Sequence, residues 1–158
     1  MNVKYKNLPL RSGVGIVVLN NKNKVFVAKR IDNPKNFWQM PQGGVNNYEN
    51  YHEAALRELK EETSIISVEL IEEIDKKFTY ILPDHLIGII WKGKYRGQTQ
   101  KWFVMRFIGD ELEINIKTKH PEFLDWKWVD LEDLTKIAVN FKLEVYKQVK
   151  SEVEKILN

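Results

Sequence analysis

The stretch RELKEETSI, residues 57–65, sets Glu58, Glu61 and Glu62 within five positions, directly after Arg57. Upstream, Ala54, Ala55, Leu56 and Leu59 stand among charged residues, a composition that predicts a helix over 51–63. At about 100° per residue, the three glutamates share an arc of about 100°, with Ala54 on the same side leaving room above it. His52, Ala55, Leu56 and Leu59 fall on a separate face suited to a core. Like charges four apart, such as Glu58 and Glu62, destabilise a bare helix by about 0.2–0.5 kcal/mol. A hard divalent cation reverses that sign, because Mg²⁺ takes oxygen ligands and keeps several waters for a substrate phosphate to displace. Alone, the KEE triplet is also what a solvated acidic face looks like.

On the N-terminal side, FWQMPQGGVNN (37–47) breaks regular structure through Pro41, Gly43 and Gly44. Before it, GVGIVVLN and KVFVAKR lie either side of NKNK (21–24) and read as a β-hairpin. Beyond the helix, strands are expected at 66–82, 86–94 and 101–109, with another at DWKWV (125–129). Asp130 is placed to cap a brief helix at 131–135. Phe141, Val145, Val149, Val153 and Ile156 form the apolar stripe of a last helix. Short turns between strands predict a mixed α/β domain with a mostly antiparallel sheet.

The chain of 158 residues is long enough to bury one substantial core, and no repeat or Pro/Gly-rich linker divides it, so one domain over 1–158 is expected. It has no cysteine, which excludes disulfides and thiolate metal sites, and no apolar run of signal-peptide or membrane-span length. A cytoplasmic protein without a membrane partner is expected; a protein partner is unknown. Charge is segregated: residues 1–42 carry +7, 43–75 carry −7, 76–109 carry +6 and the remainder −3. An acidic block between basic ones suits an anion gripped around a metal, and equally suits solvated charges dispersed by folding. The three histidines share no metal-ligand spacing, and Trp38, Trp102, Trp126 and Trp128 read as packing residues.

Spacing around the helix narrows the reading. From Gly43 the chain runs five residues to Glu49, seven more to Arg57-Glu58-Leu59, then Glu61-Glu62, and ends with Ser64-Ile65. This resembles the Nudix box, G-x5-E-x7-R-E-U-x-E-E-x-G-U with U aliphatic. Six of its fixed positions match by chance in a chain of this length with odds of about one in a hundred thousand, at average residue usage. Ser64 replaces the final glycine, and Tyr48 replaces the small residue usual before the first glutamate. The glycine's place is a left-handed turn closing the helix, where a Cβ costs on the order of 1 kcal/mol.

The resemblance implies an α+β fold, the Nudix α/β/α sandwich around a mixed, mostly antiparallel sheet, and a hydrolase acting on phosphoric anhydrides. It implies Glu58, Glu61 and Glu62 as ligands of Mg²⁺ or Mn²⁺, Arg57 as their orienting partner, Glu49 as an accessory acid, and a backbone carbonyl of Gln42 or Gly43 completing the shell. RSGVGIVVLN, VFVAKR, FWQMPQGGV, GQTQKWFVMRF, EINI, PEFLDWKWV and FKLEVY further resemble the bacterial RNA pyrophosphohydrolase and diadenosine polyphosphate hydrolase branch. That likeness implies Arg11, Arg30, Tyr80 and Lys142 as phosphate-binding residues and Glu122 as a metal ligand or general base. Gln98, Gln100 and Lys101 lie in a neighbouring segment, with Gln98 and Lys101 taken as substrate-binding. Read singly, Arg11 and Arg30 are also ordinary surface cations, and Glu122 an ordinary loop acid. The implied substrate is 5′-triphosphorylated RNA, cleaved to pyrophosphate and a 5′-monophosphate at the start of mRNA decay. Diadenosine tetraphosphate is the alternative substrate, and a non-catalytic nucleotide- or RNA-binding module is the alternative class.

Overall fold

The computed structural model describes residues 3–32 and 35–158. Strands β1 (Leu10–Leu19) and β2 (Val25–Arg30) form the expected hairpin. Its turn is tied by Asn20, whose side chain accepts from the N–H groups of Lys22 and Lys24 at 2.9 and 3.0 Å. The two strands pair only at its base, Leu19 with Val25, and then splay apart. Residues 39–44 fill the gap: Ile16 N–H donates to the Pro41 carbonyl, Ala28 exchanges hydrogen bonds with Gln39, and β3 (Gln42–Gly44) pairs with Gly13, Val14 and Gly15. This wedge places the glycine-rich loop in the middle of the sheet.

Helix α1 (Tyr51–Thr63) follows, then β4 (Val68–Ile81), β5 (Gly97–Phe107) and β6 (Phe123–Val129), the short α2 (Leu134–Ile137), and α3 (Leu143–Leu157). The sheet order is β4-β5-β1-β2-β6. Alternation along the strands sends Val14, Ile16, Val18, Phe103 and Met105 to the face under α1, and Val17, Leu19, Trp102 and Val104 to the face under α3. The result is the anticipated α/β/α sandwich. Most pairs are antiparallel, but β1 and β5 run parallel from Leu10–Gly97 to Leu19–Arg106.

Several local expectations change. Residues 86–94 are not a strand: Gly88 and Gly93 take positive φ, turns close from Pro83 and Leu86, and only an isolated bridge joins Ile87 to Ile90. The strand expected at 101–109 starts earlier, at Gly97, whose missing side chain admits the Tyr80 backbone. His52 and Leu56 are exposed, because α1 leans onto the sheet through Ala54, Ala55 and Leu59 instead. Phe141 precedes α3 in a 3₁₀ turn (Asn140–Lys142), leaving Val145, Val149 and Val153 as the buried stripe. Asp130 makes no side-chain cap, and the short helix begins as a 3₁₀ turn at Leu131–Asp133.

Helix α1 is framed by its caps. Asn50 and Glu53 form a reciprocal capping box, their side chains accepting from each other's backbone N–H at 2.8 and 3.1 Å. At the other end Ser64 adopts the left-handed conformation (φ 66°) that the family glycine serves. Its hydroxyl donates to the Asn115 carbonyl at 2.8 Å, which offsets the Cβ penalty. Ser64→Ala should therefore lower stability by about 1 kcal/mol, since it loses the bond and keeps the Cβ. Ser64→Gly should be near neutral, within about 0.5 kcal/mol, because backbone relief and the lost bond oppose each other. Urea unfolding midpoints separate the two; a strongly stabilising glycine would mean the hydroxyl contributes nothing.

Candidate active site

The site opens where β1 and β2 part. On one side Arg57, in α1, gathers the acidic residues. Its guanidinium donates to Glu49 at 2.6, 3.0 and 3.2 Å, to Glu58 at 2.9 Å, to Glu61 at 3.2 Å and to the Gly44 carbonyl at 2.8 Å. These contacts raise the Arg57 pKa, the Glu49 bond contributing most, so its charge is permanent. Glu49 is correspondingly held below the usual carboxylate range, and its Oε1 also accepts from Asn46 N–H at 2.8 Å, fixing the loop. Gly43 has no room for a side chain, because a Cβ would strike the Glu58 carboxylate.

The three box glutamates are graded inward. The Glu61 side chain is 58% exposed and that of Glu58 16%, while Glu62 as a residue is only 4% exposed. Glu62 Oε1 accepts from Gln42 N–H at 3.0 Å, whereas Oε2 is buried with no hydrogen-bond partner. Burial pushes the Glu62 pKa well above the usual range, and the neighbouring Glu122 and Glu58 charges push it further. Burial also raises Glu58, against the pull of Arg57.

On the other side of Gln42 lies a cationic and amide-rich half. Arg11 donates to Gln98 Oε1 at 3.1 Å, and Gln98 Nε2 donates to the Tyr80 hydroxyl at 3.1 Å. Gln100 Nε2 donates to Gln42 Oε1 at 3.0 Å, and Gln42 also reaches the Tyr80 hydroxyl. Burial raises the Tyr80 pKa. Arg30 forms a two-pronged pair with Asp32, both distances 2.7 Å, and feels the charges of Glu122 and Glu62. Lys142 is buried at the start of α3, donating to Gln39 Oε1 at 3.4 Å with its ammonium over the Tyr80 ring. Burial and the Arg30 charge lower its pKa to about 7.

The structure thus links Arg11, Gln98, Tyr80 and Lys142 through side-chain contacts and sets Arg30 and Glu122 within electrostatic reach of Glu62. Lys101 does not join them. It is one residue out of phase with Gln98 and Gln100, so it projects on the α1 side of the sheet, where its ammonium donates to the Asp75 carbonyl at 2.9 Å and lies 3.7 Å from Glu73. Gln42, Gln39 and Asp32 are the residues that sequence reading passed over as side chains. Two glutamines three apart in a short loop that must enter the core are the signal that could have found the first pair.

Among the described residues no three acidic or histidine side chains stand close enough together to hold a metal ion as they are placed. The donors nevertheless suit a hydrated hard cation. They are all oxygens, they include the buried Glu62 Oε2 with no hydrogen-bond partner, and a cation would offset the crowding of Glu62 by Glu122 and Glu58. Glu58, Glu61 and Glu62 are the residues that would hold it, with Glu122 beside Glu62.

Residues 9–149 match the NUDIX domain model, and the chain belongs to the NUDIX family of hydrolases acting on pyrophosphate bonds. A protein of Pelagibacter ubique named RNA pyrophosphohydrolase is 70% identical over 152 residues, 96% of each chain. One of the same name from Sphingopyxis alaskensis is 46% identical, covering 92% of this chain and 93% of its own. The fold resembles the E. coli dihydroneopterin triphosphate pyrophosphohydrolase with a TM-score of 0.66 at 23% identity, over 89% of this chain and 96% of that one. A C. elegans Ap4A hydrolase binary complex gives 0.62 at 21% identity, over 90% and 98%.

Two predictions test this geometry. Gly43→Ala should reduce turnover at least about tenfold by displacing Glu58, since misplacing a catalytic group by about 1 Å has such effects; unchanged turnover would mean the loop tolerates the methyl. Native Lys142 loses its proton near pH 7 while the unfolded lysine keeps it to about 10.5, so between these values the unfolded state binds more protons. Stability in chelated buffer should therefore rise with pH above 7, by up to about 1.4 kcal/mol per unit, relative to Lys142→Met. A flat difference over pH 7–9 would mean that the ammonium is solvated.

Proposed function

We propose that this protein hydrolyses the 5′-triphosphate end of RNA, releasing pyrophosphate and leaving a 5′-monophosphate, in the cytoplasm and with Mg²⁺ as cofactor. The observation that carries it is the bridging position of Gln42 between the two halves. Gln42 gives its N–H to the innermost acid, Glu62, and its side chain to the Tyr80–Gln98–Arg11 cluster, so the acidic and cationic halves are one site. A string of phosphates laid across it meets cations at one end and a metal-suited cluster at the other. The choice of RNA among phosphoanhydrides is supported by the 70% identity to the Pelagibacter ubique protein.

Arg11, Arg30 and Lys142 bind phosphate oxygens, with Tyr80 and Gln98 directing hydrogen bonds to them. Arg57 holds Glu58 and Glu61 in place and fastens the loop carrying Gly43. Glu58, Glu61 and Glu62 would hold the cation, with a Gly43 or Gln42 carbonyl available as a further oxygen. When bound, the cation neutralises phosphate charge and lowers the pKa of its water. Glu122, beside Glu62, accepts the proton of the attacking water, which adds in line to phosphorus as the α–β anhydride bond breaks and pyrophosphate departs.

RNA labelled at the γ-phosphate, incubated with protein and Mg²⁺, should yield labelled pyrophosphate. Faster cleavage of diadenosine tetraphosphate under the same conditions would overturn the RNA assignment. Glu62→Gln should cut turnover by about two orders of magnitude or more while the protein stays folded; undiminished turnover would remove Glu62 from the metal site.

A further inference from the structure

We infer that Trp91 is a positioning residue for Arg11, fixing the guanidinium for phosphate before substrate arrives. The inference rests on the reading above that Arg11 binds substrate phosphate. Trp91 lies in the segment between β4 and β5. Its ring sits against Arg11, with the guanidinium carbon 5.2 Å from the ring centroid. Arg11 is otherwise held at Gln98 Oε1 and against Gly44, where a Cβ would run into the guanidinium. Stacking on an aromatic face suits arginine in particular, because the group is planar and weakly hydrated.

The backbone that delivers the indole is unusual. Trp91 and Lys92 both take left-handed φ, 53° and 55°. For two successive residues with side chains, one of them aromatic, this is a disfavoured conformation, and such outliers persist where the surroundings over-determine them. Here they do. The ends of the segment are joined by Leu82 N–H to the Arg96 carbonyl at 2.9 Å, and Arg96 is fastened to β1's approach by its N–H to the Pro9 carbonyl and its guanidinium to the Leu8 carbonyl. Gly93 packs on the backbone of Gly88, and Tyr95 meets the indole edge-on at 6.0 Å. The same segment therefore clamps the strand that carries Arg11 and supplies the ring that faces it.

Steady-state hydrolysis of 5′-triphosphate RNA by the full chain with Mg²⁺ tests the role. Trp91→Leu, which keeps apolar bulk and removes the π face, should raise KM about tenfold with kcat changed less than about twofold. Trp91→Phe should stay near wild type, and Trp91→Leu should have no further effect in an Arg11→Ala background. Trp91→Met, a second variant without the π face, should reproduce the KM increase, so the proposal is tested even if Trp91→Leu folds poorly. Wild-type KM in Trp91→Leu or in Trp91→Met, or additive effects of Trp91→Leu and Arg11→Ala, would overturn it. Calorimetric binding of inorganic tripolyphosphate keeps the two readings apart. A wild type silent on RNA would sink the substrate assignment, whereas equal tripolyphosphate affinity in wild type and Trp91→Leu would overturn the role of Trp91.

Discussion

The guanidinium of Arg57 holds together three things that would otherwise separate: the loop after β3, through the Gly44 carbonyl and Glu49, and two outer glutamates of its own helix, Glu58 and Glu61. A lysine could not do this, because one ammonium lacks the fixed fork of five N–H donors. The arrangement stabilises carboxylates in place without neutralising the innermost one. Glu62 makes no bond to the arginine and accepts instead from Gln42 N–H, and its burial holds its pKa well above the usual carboxylate range. Positive charge brought from outside is what that carboxylate lacks.

The opposite half shows the same logic with the sign reversed. Lys142 is buried at the start of a helix, where the dipole opposes a cation and Arg30 adds a like charge. The protein keeps an ammonium and a carboxylate a short way apart, both short of solvation, with no direct salt bridge between them. On the proposed function, keeping them apart reserves each for a charged ligand, and stability is lowered at the site that would bind.

Much of this was legible in the sequence where chemistry is local. The 51–63 helix, the three glutamates and Arg57 follow from spacing along one helix, and the Ser64 terminus from a single expected backbone conformation. Parallel pairing of β1 with β5 was not legible, since short turns argue for antiparallel neighbours and nothing in a periodic pattern encodes a partner far along the chain. Residues 86–94 look extended in composition, yet Gly88 and Gly93 turn them into a compact segment. Lys101 fails for the simplest reason: in a strand, one position decides which face a side chain serves. Trp91 was invisible as a site residue because its importance lies in its contact with Arg11, and that contact requires the parallel pairing.

The wedge of residues 39–44 between splayed strands also gives the two halves different histories in folding. Arg57 and Gly44 are 13 residues apart, whereas Arg11 and Gln98 are 87 apart. Loop-closure entropy makes the second contact about 1.7 kcal/mol harder to close than the first. The acidic half is thus a local structure that a short stretch of chain can assemble, while the cationic half exists only once β5 has docked beside β1. A chain caught partway through folding has the means to attract a cation before it has the means to grip a phosphate.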